Sequence, residues 1–162
     1  MIEIEPAADG RDRRIGIAVA SFNAEITDML LDGCHQLLLE KNVRESDIVR
    51  VRVPGAWELP MACQQLAQSG RFHAVIALGA VVRGETAHFE FISAECARGL
   101  QQVGLETGVP VAFGVLTPEN GQQARERADP KRSNKGGEVA LAALQMIDLQ
   151  ARIDSEALAD EK

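Results

Sequence analysis

Residues 74–91 constrain the fold more than any other part of the chain. Positions 74–82 form an unbroken apolar run of small and branched residues. Such a run has no side suited to water, so it reads as a strand covered on both faces. It breaks into a polar turn of Arg83, Gly84, Glu85 and Thr86, and a helical pattern starts around His88. A strand that passes through a glycine turn into a helix leaves backbone N–H groups without intrahelical partners. They lie at the positive end of the helix dipole, where anions and phosphate above all settle. His88 at the same spot can carry a proton near neutral pH. The segment points to a place where a phosphorylated small molecule reacts.

Strand-like and helix-like segments alternate along the rest of the chain. Strands are expected at 15–20, 47–53, within 72–82 and at 109–115. Arg50 and Arg52 alternate with apolar neighbours in the second, as at a sheet edge. Helical stripes begin at Ile26, with Met29, Leu30, Gly33, Leu37 and Leu38 on the same face, at Leu59 and near His88, and the last two end at Ser69-Gly70 and at Thr107-Gly108. Thr117-Pro118 reads as an N-cap followed by proline at the first helical position, opening a short helix over roughly 119–127. After a polar loop at 129–135, Ala140, Leu144, Ile147 and Ala151 mark a last helix. The order βαβαβαβαα predicts an α/β fold with one mostly parallel, four-stranded sheet between helix layers and right-handed crossovers. The domain is expected over 14–153, between an N-terminal segment, 1–13, and a frayed charged tail, 154–162.

Composition narrows the function. A chain of 162 residues suits one domain, and 14 Gly against 5 Phe, 1 Trp and no Tyr favours tight α/β packing. The formal charge of −7 argues against a nucleic-acid surface and an anionic membrane face, so any anion site is local. No apolar run reaches the length of a membrane span and residues 1–14 hold no signal-peptide core, which predicts a cytoplasmic protein. Cys34, Cys63 and Cys96 fall in helical patterns and read as buried thiols in a reducing compartment. No spacing of His, Cys, Asp or Glu suits a metal, and no phosphate loop or GxGxxG is present.

Every unusual stretch follows a strand, and in a parallel sheet those loops share the rim where ligands bind. Phe22 either staples the next helix or offers a stacking plate for a flat heterocycle. Glu58, fixed by the Pro54-Gly55 turn, either caps a helix start or accepts hydrogen bonds from a ligand. Phe113 alone reads as a core residue. His35 and His73 read as structural or exposed, whereas His88 shares a loop with the anion site. Arg125, Arg127, Lys131, Arg132 and Lys135 make a basic cluster that is either a solvated surface or the source of one phosphate-binding arginine.

Taken together, Ser21-Phe22-Asn23, Pro54-Gly55-Ala56-Trp57-Glu58-Leu59-Pro60, residues 79–88, Phe113-Gly114-Val115-Leu116-Thr117, Glu126-Arg127-Ala128 and Asn134-Lys135-Gly136-Gly137 resemble the lumazine synthase family over about 14–150. The resemblance implies a flavodoxin-like three-layer sandwich that joins 5-amino-6-(D-ribitylamino)uracil to 3,4-dihydroxy-2-butanone 4-phosphate, releasing phosphate and water, with no metal or organic cofactor. It implies that Phe22 stacks on the pyrimidine and that Ala56, Trp57 and Glu58 hold the ribityl chain. Ala80, Val81 and Val82 would contact the uracil through backbone groups, and Phe113 would close over it. Glu85 and Thr86 would cradle the phosphate by main-chain N–H, with Arg127 from a neighbouring subunit, while His88 shuttles protons. Members of the family form homopentamers with sites between subunits, some assemble sixty copies into an icosahedral shell, and residues 1–13 would extend a neighbour's sheet. Two other readings share this scaffold: a flavin-binding protein without turnover, and a shell subunit with incidental pocket residues.

Overall fold

The four apolar runs become β1 (Ile15–Ala20), β2 (Ile48–Val53), β3 (Ala74–Ala80) and β4 (Val111–Leu116) in a computed structural model that describes residues 1–155. Of the charged tail expected at 154–162, residues 156–162 lie outside the described residues. All strand pairings are parallel, in the order β2-β1-β3-β4. The central strands, β1 and β3, are buried at every position. β2 lies at an edge, and its Arg50 and Arg52 are exposed, as the alternation requires.

Five α-helices among the described residues cover the sheet: α1 (Ala24–Glu40), α2 (Leu59–Gln68), α3 (His88–Thr107), α4 (Gly121–Ala128) and α5 (Lys135–Asp154). Because side chains alternate across a strand, each strand feeds two cores. Ile15, Ile17, Val19, Ile76 and Leu78 pack under α1, α4 and α5, against residues such as Leu30 and Leu144. Ala18, Ala20, Val75 and Ala77 pack under α2 and α3, against Leu59, Cys63, Cys96 and Leu100. The result is the flavodoxin-like three-layer sandwich. All three cysteines are buried; burial pushes the thiols of Cys34 and Cys63 up to about 12 and that of Cys96 to about 11. They behave as small apolar core residues.

Some boundaries differ from the sequence reading. β4 continues to Leu116, so the fourth rim loop starts at Thr117. The cap of α4 is Asn120, whose Oδ1 accepts from the Gln123 N–H at 2.9 Å, and not Thr117. The physical reason is that Pro118 is buried and its carbonyl accepts from the Arg83 N–H at 3.0 Å, which commits 117–118 to the neighbouring loop. Residues 1–13 have no helix or strand; the Ala7 N–H donates to Asp148 Oδ2 at 2.7 Å and the Gly10 N–H to the Lys41 carbonyl at 2.6 Å.

The run Asn134-Lys135-Gly136-Gly137 has a packing role. Asn134 takes a left-handed conformation (φ 48°) and its Oδ1 caps α5 by accepting from the Gly137 N–H at 3.2 Å. At Gly136 a Cβ would collide with the Leu30 carbonyl group, its carbon only 2.8 Å away, so α1 and α5 touch backbone to backbone. Gly136→Ala must push the two helices apart. We expect a loss of about 1–3 kcal/mol, read as a lower urea midpoint with an unchanged slope; an unchanged midpoint would contradict this contact.

Candidate active site

The strand tips end nearly level. Ala20 pairs with Val53, Val19 with Leu78, and Ala80 with Leu116. The chain leaves β1 toward β2 on one side and returns to β3 on the other, so β1 and β3 flank the topological switch point where ligands enter such sheets. Three ties hold the loops there. Ser21 and Phe22 donate their N–H groups to the carbonyls of Val53 and Pro54 at 2.8 and 2.9 Å. Val81 and Arg83 donate theirs to Leu116 and Pro118 at 2.8 and 3.0 Å. Across the switch point, Asn23 Nδ2 donates to the Ala80 carbonyl at 2.9 Å.

Phe22 is 64% exposed, and its ring lies against Gly55, where a Cβ would come within 2.5 Å of Cδ2. The absence of a side chain at Gly55 thus leaves room for the ring. Ala56 is buried beside it, and Glu58 closes the turn: Oε2 accepts from the Gly55 N–H at 2.9 Å. The capping role of Glu58 is therefore present. Its Oε1 has no donor among the described residues.

Of the three residues at the end of the β3 run, Ala80 and Val81 spend a carbonyl and an N–H on the ties just described. The N–H of Val82 has no acceptor among the described residues. The same holds for the N–H groups of Gly84, Glu85, Thr86 and Ala87, all exposed. Thr86 Oγ1 accepts from the His88 N–H at 3.4 Å and so marks the start of α3. His88 is the first residue of that helix, exposed, with no ring partner among the described residues. Four unpartnered N–H groups beside a helix start are an arrangement that can cradle an anion.

Two of the expected residues, Trp57 and Phe113, line cavities away from this rim, whereas Arg127 faces the fourth rim loop of its own chain. Trp57 is 58% exposed and lines a groove of about 360 Å³ between α2 and α3, with Met61, Gln64 and Gly99. Phe113 sits in mid-strand opposite Ala77, on the free edge of β4, and lines a cavity of about 600 Å³ with Leu105 and Met146. Arg127, on α4, lines a cleft of about 250 Å³ with Thr117, Glu119 and Lys135. Within the basic cluster, Arg125 pairs with Glu25 at 2.8 Å, Arg132 with Asp129 at 3.9 Å and Lys135 with Glu138 at 2.7 Å. Arg127 makes no ion pair among the described residues; its Nη1 donates to the Gln123 carbonyl at 3.2 Å. Its fork therefore has donors to spare.

The two other histidines have structural contacts. His35 Nε2 lies 2.7 Å from Glu45 Oε2, and His73 Nδ1 accepts from the Arg14 N–H at 2.9 Å while burial lowers its pKa.

The model of the family described as 6,7-dimethyl-8-ribityllumazine synthase matches residues 12–151. The chain belongs to that family. A relative of that name from Halorhodospira halophila (strain DSM 244 / SL1) is 47% identical over 145 residues, 90% of this chain and 93% of the relative.

On this lumazine synthase scaffold, sequence reasoning passed over Asn23 and Arg83. Asn23 is one of four non-glycine residues at positive φ (60°) among the described residues, a conformation that asparagine tolerates better than most. Its signal was an asparagine between a strand tip and a helix. Asn23→Ala loses the Ala80 bond and strains the backbone, each roughly 1 kcal/mol. Thermal unfolding should show a drop of about 2 kcal/mol in stability, with Asn23→Gly losing less because glycine accepts the conformation; equal losses would contradict this assignment.

Proposed function

We propose that the strand-tip rim is where this chain condenses 5-amino-6-(D-ribitylamino)uracil with 3,4-dihydroxy-2-butanone 4-phosphate to 6,7-dimethyl-8-ribityllumazine, releasing phosphate and water. Membership in the family makes the chain a lumazine-forming transferase of riboflavin biosynthesis. The observation that carries the site assignment is the shared rim: an exposed aromatic plate, Phe22, and a cradle of free N–H groups at 84–87, joined through Asn23 and Ala80.

In this reading Phe22 stacks on the pyrimidine, and Ala56, Trp57 and Glu58 hold the ribityl chain, with Glu58 Oε1 free to accept from a hydroxyl. Ala80, Val81 and Val82 face the uracil through the backbone, Val82 with an N–H to give. Glu85 and Thr86 receive the phosphate by main-chain N–H, and Arg127 adds charge. The amine of the pyrimidine is already nucleophilic, so the site needs no activated Ser or Cys. Holding the two reactants in line supplies much of the acceleration. Imine formation and elimination need proton transfers, which suit His88. Phosphate departure is favoured by the helix start and Arg127.

The protein acts as a homopentamer in the cytoplasm, with each site completed by a neighbour. Support for this comes from two aromatic residues that are exposed and line cavities away from the rim of their own chain, Trp57 and Phe113. No helix among the described residues is long and apolar enough to cross a membrane. Light scattering of the purified protein should give the mass of five chains or a multiple of it, including sixty; a monomer would contradict shared sites.

Given both substrates and no added metal, the protein should develop lumazine absorbance and release phosphate in equal amount. A rate no higher than the uncatalysed condensation would contradict the assignment. His88→Ala should lower kcat on the order of tenfold, less than the usual share of general acid–base catalysis, because positioned partners still react. Arg127→Ala should raise KM for the phosphorylated ketone by about tenfold or more, leaving that of the uracil near wild type; an unchanged ketone KM would remove Arg127 from the site.

A further inference from the structure

Two carboxylates stand beside the phosphate cradle. Glu90 lies in the first turn of α3, and Glu119 follows β4 and lines the cleft that holds Arg127. Like charge near an incoming phosphate opposes its binding. One side chain engages both acids: Arg83 Nε lies 2.8 Å from Glu119 Oε2, and Arg83 Nη1 donates to Glu90 Oε1. Its guanidinium carbon sits 4.4 Å from the centre of the Phe89 ring, and its N–H holds the Pro118 carbonyl. Phe89 is buried beneath it. The guanidinium beside Glu90 also holds that carboxyl below its ordinary value, so the acid remains charged and paired at neutral pH.

We infer that Arg83 is a positioning residue for the phosphorylated substrate: it pins the 84–87 cradle to the loop after β4 and neutralises the two acids that flank it. This rests on the cradle being the phosphate site. Arg83 needs no contact with the substrate. Its planar fork meets two carboxylates in different directions while its face lies on an aromatic ring, which a lysine cannot reproduce. The cradle is otherwise an exposed turn, with open space where a side chain at Gly84 would stand.

The test uses the full chain in the two-substrate assay, with inorganic phosphate titrated calorimetrically as a measure independent of turnover. Arg83→Gln should raise KM for the phosphorylated ketone and Kd for inorganic phosphate, each about tenfold, with KM for the ribitylaminouracil near wild type. Arg83→Lys should recover part of both losses by restoring charge without the fork. Adding Glu119→Gln to Arg83→Gln should recover part by removing repulsion. Unchanged phosphate Kd in Arg83→Gln, or an equal rise in both KM values, overturns the inference. If Arg83→Gln does not fold, Arg83→Lys decides: wild-type phosphate affinity there overturns the role of the fork. A wild type that binds phosphate in this Arg83-dependent way yet makes no lumazine overturns the enzyme assignment and leaves the positioning role standing.

Discussion

The hydrogen bond from Asn23 Nδ2 to the Ala80 carbonyl extends the pairing of β1 and β3 beyond the strand tips, at the place where the winding of the sheet reverses. On one side lie β1, β2, Phe22 and the Gly55–Glu58 turn. On the other lie β3, β4 and the anion cradle. Strand pairing fixes the tips to within about a residue, but loops beyond the last ladder bond are free to splay. The left-handed backbone of Asn23 aims the amide across the gap and starts α1 at the same time. One residue at roughly 1 kcal/mol of conformational cost thereby ties the loop that carries Phe22 to the end of β3.

Around that tie, each loop is braced by the backbone and the site side chains are left unspent. Ser21, Phe22, Val81 and Arg83 use their N–H groups to bind neighbouring loops. The rings of Phe22 and His88, the fork of Arg127 and one oxygen of Glu58 keep free surface. A site that must align two soluble molecules gains most from such preorganisation, because the reaction asks for orientation and proton transfer more than for a new nucleophile. Arg83 extends the same economy to charge by pairing with both Glu90 and Glu119, which in the proposed site would otherwise face the phosphate.

Much of this was legible in the residues. Parallel strands covered on both faces leave continuous apolar runs, and 74–82 is one; β2 betrayed its edge position by Arg50 and Arg52. The unpartnered N–H groups of 84–87 were legible because a glycine turn before a helix has a definite backbone consequence. What escaped were features set by contact between loops. Thr117-Pro118 has the residue types of a helix start, yet the pull of Arg83 on the Pro118 carbonyl shifts the cap to Asn120. Phe113 and Trp57 carry the right chemistry, but strand register and turn direction decide where a ring points, and neither is written in local spacing. Gly136 entered the sequence reading only as part of the Asn134-Lys135-Gly136-Gly137 stretch, and the structure makes it the contact point of two helices.

The central claim is that Phe22 and the 84–87 cradle serve one crevice. A crystal structure of the protein with a non-reactive ribitylaminouracil analogue and inorganic phosphate tests it most directly. The account predicts the pyrimidine flat against Phe22 and phosphate oxygens on the N–H groups of residues 84–87, in the same crevice. Finding the two ligands in separate cavities, or the phosphate away from the start of α3, would contradict it.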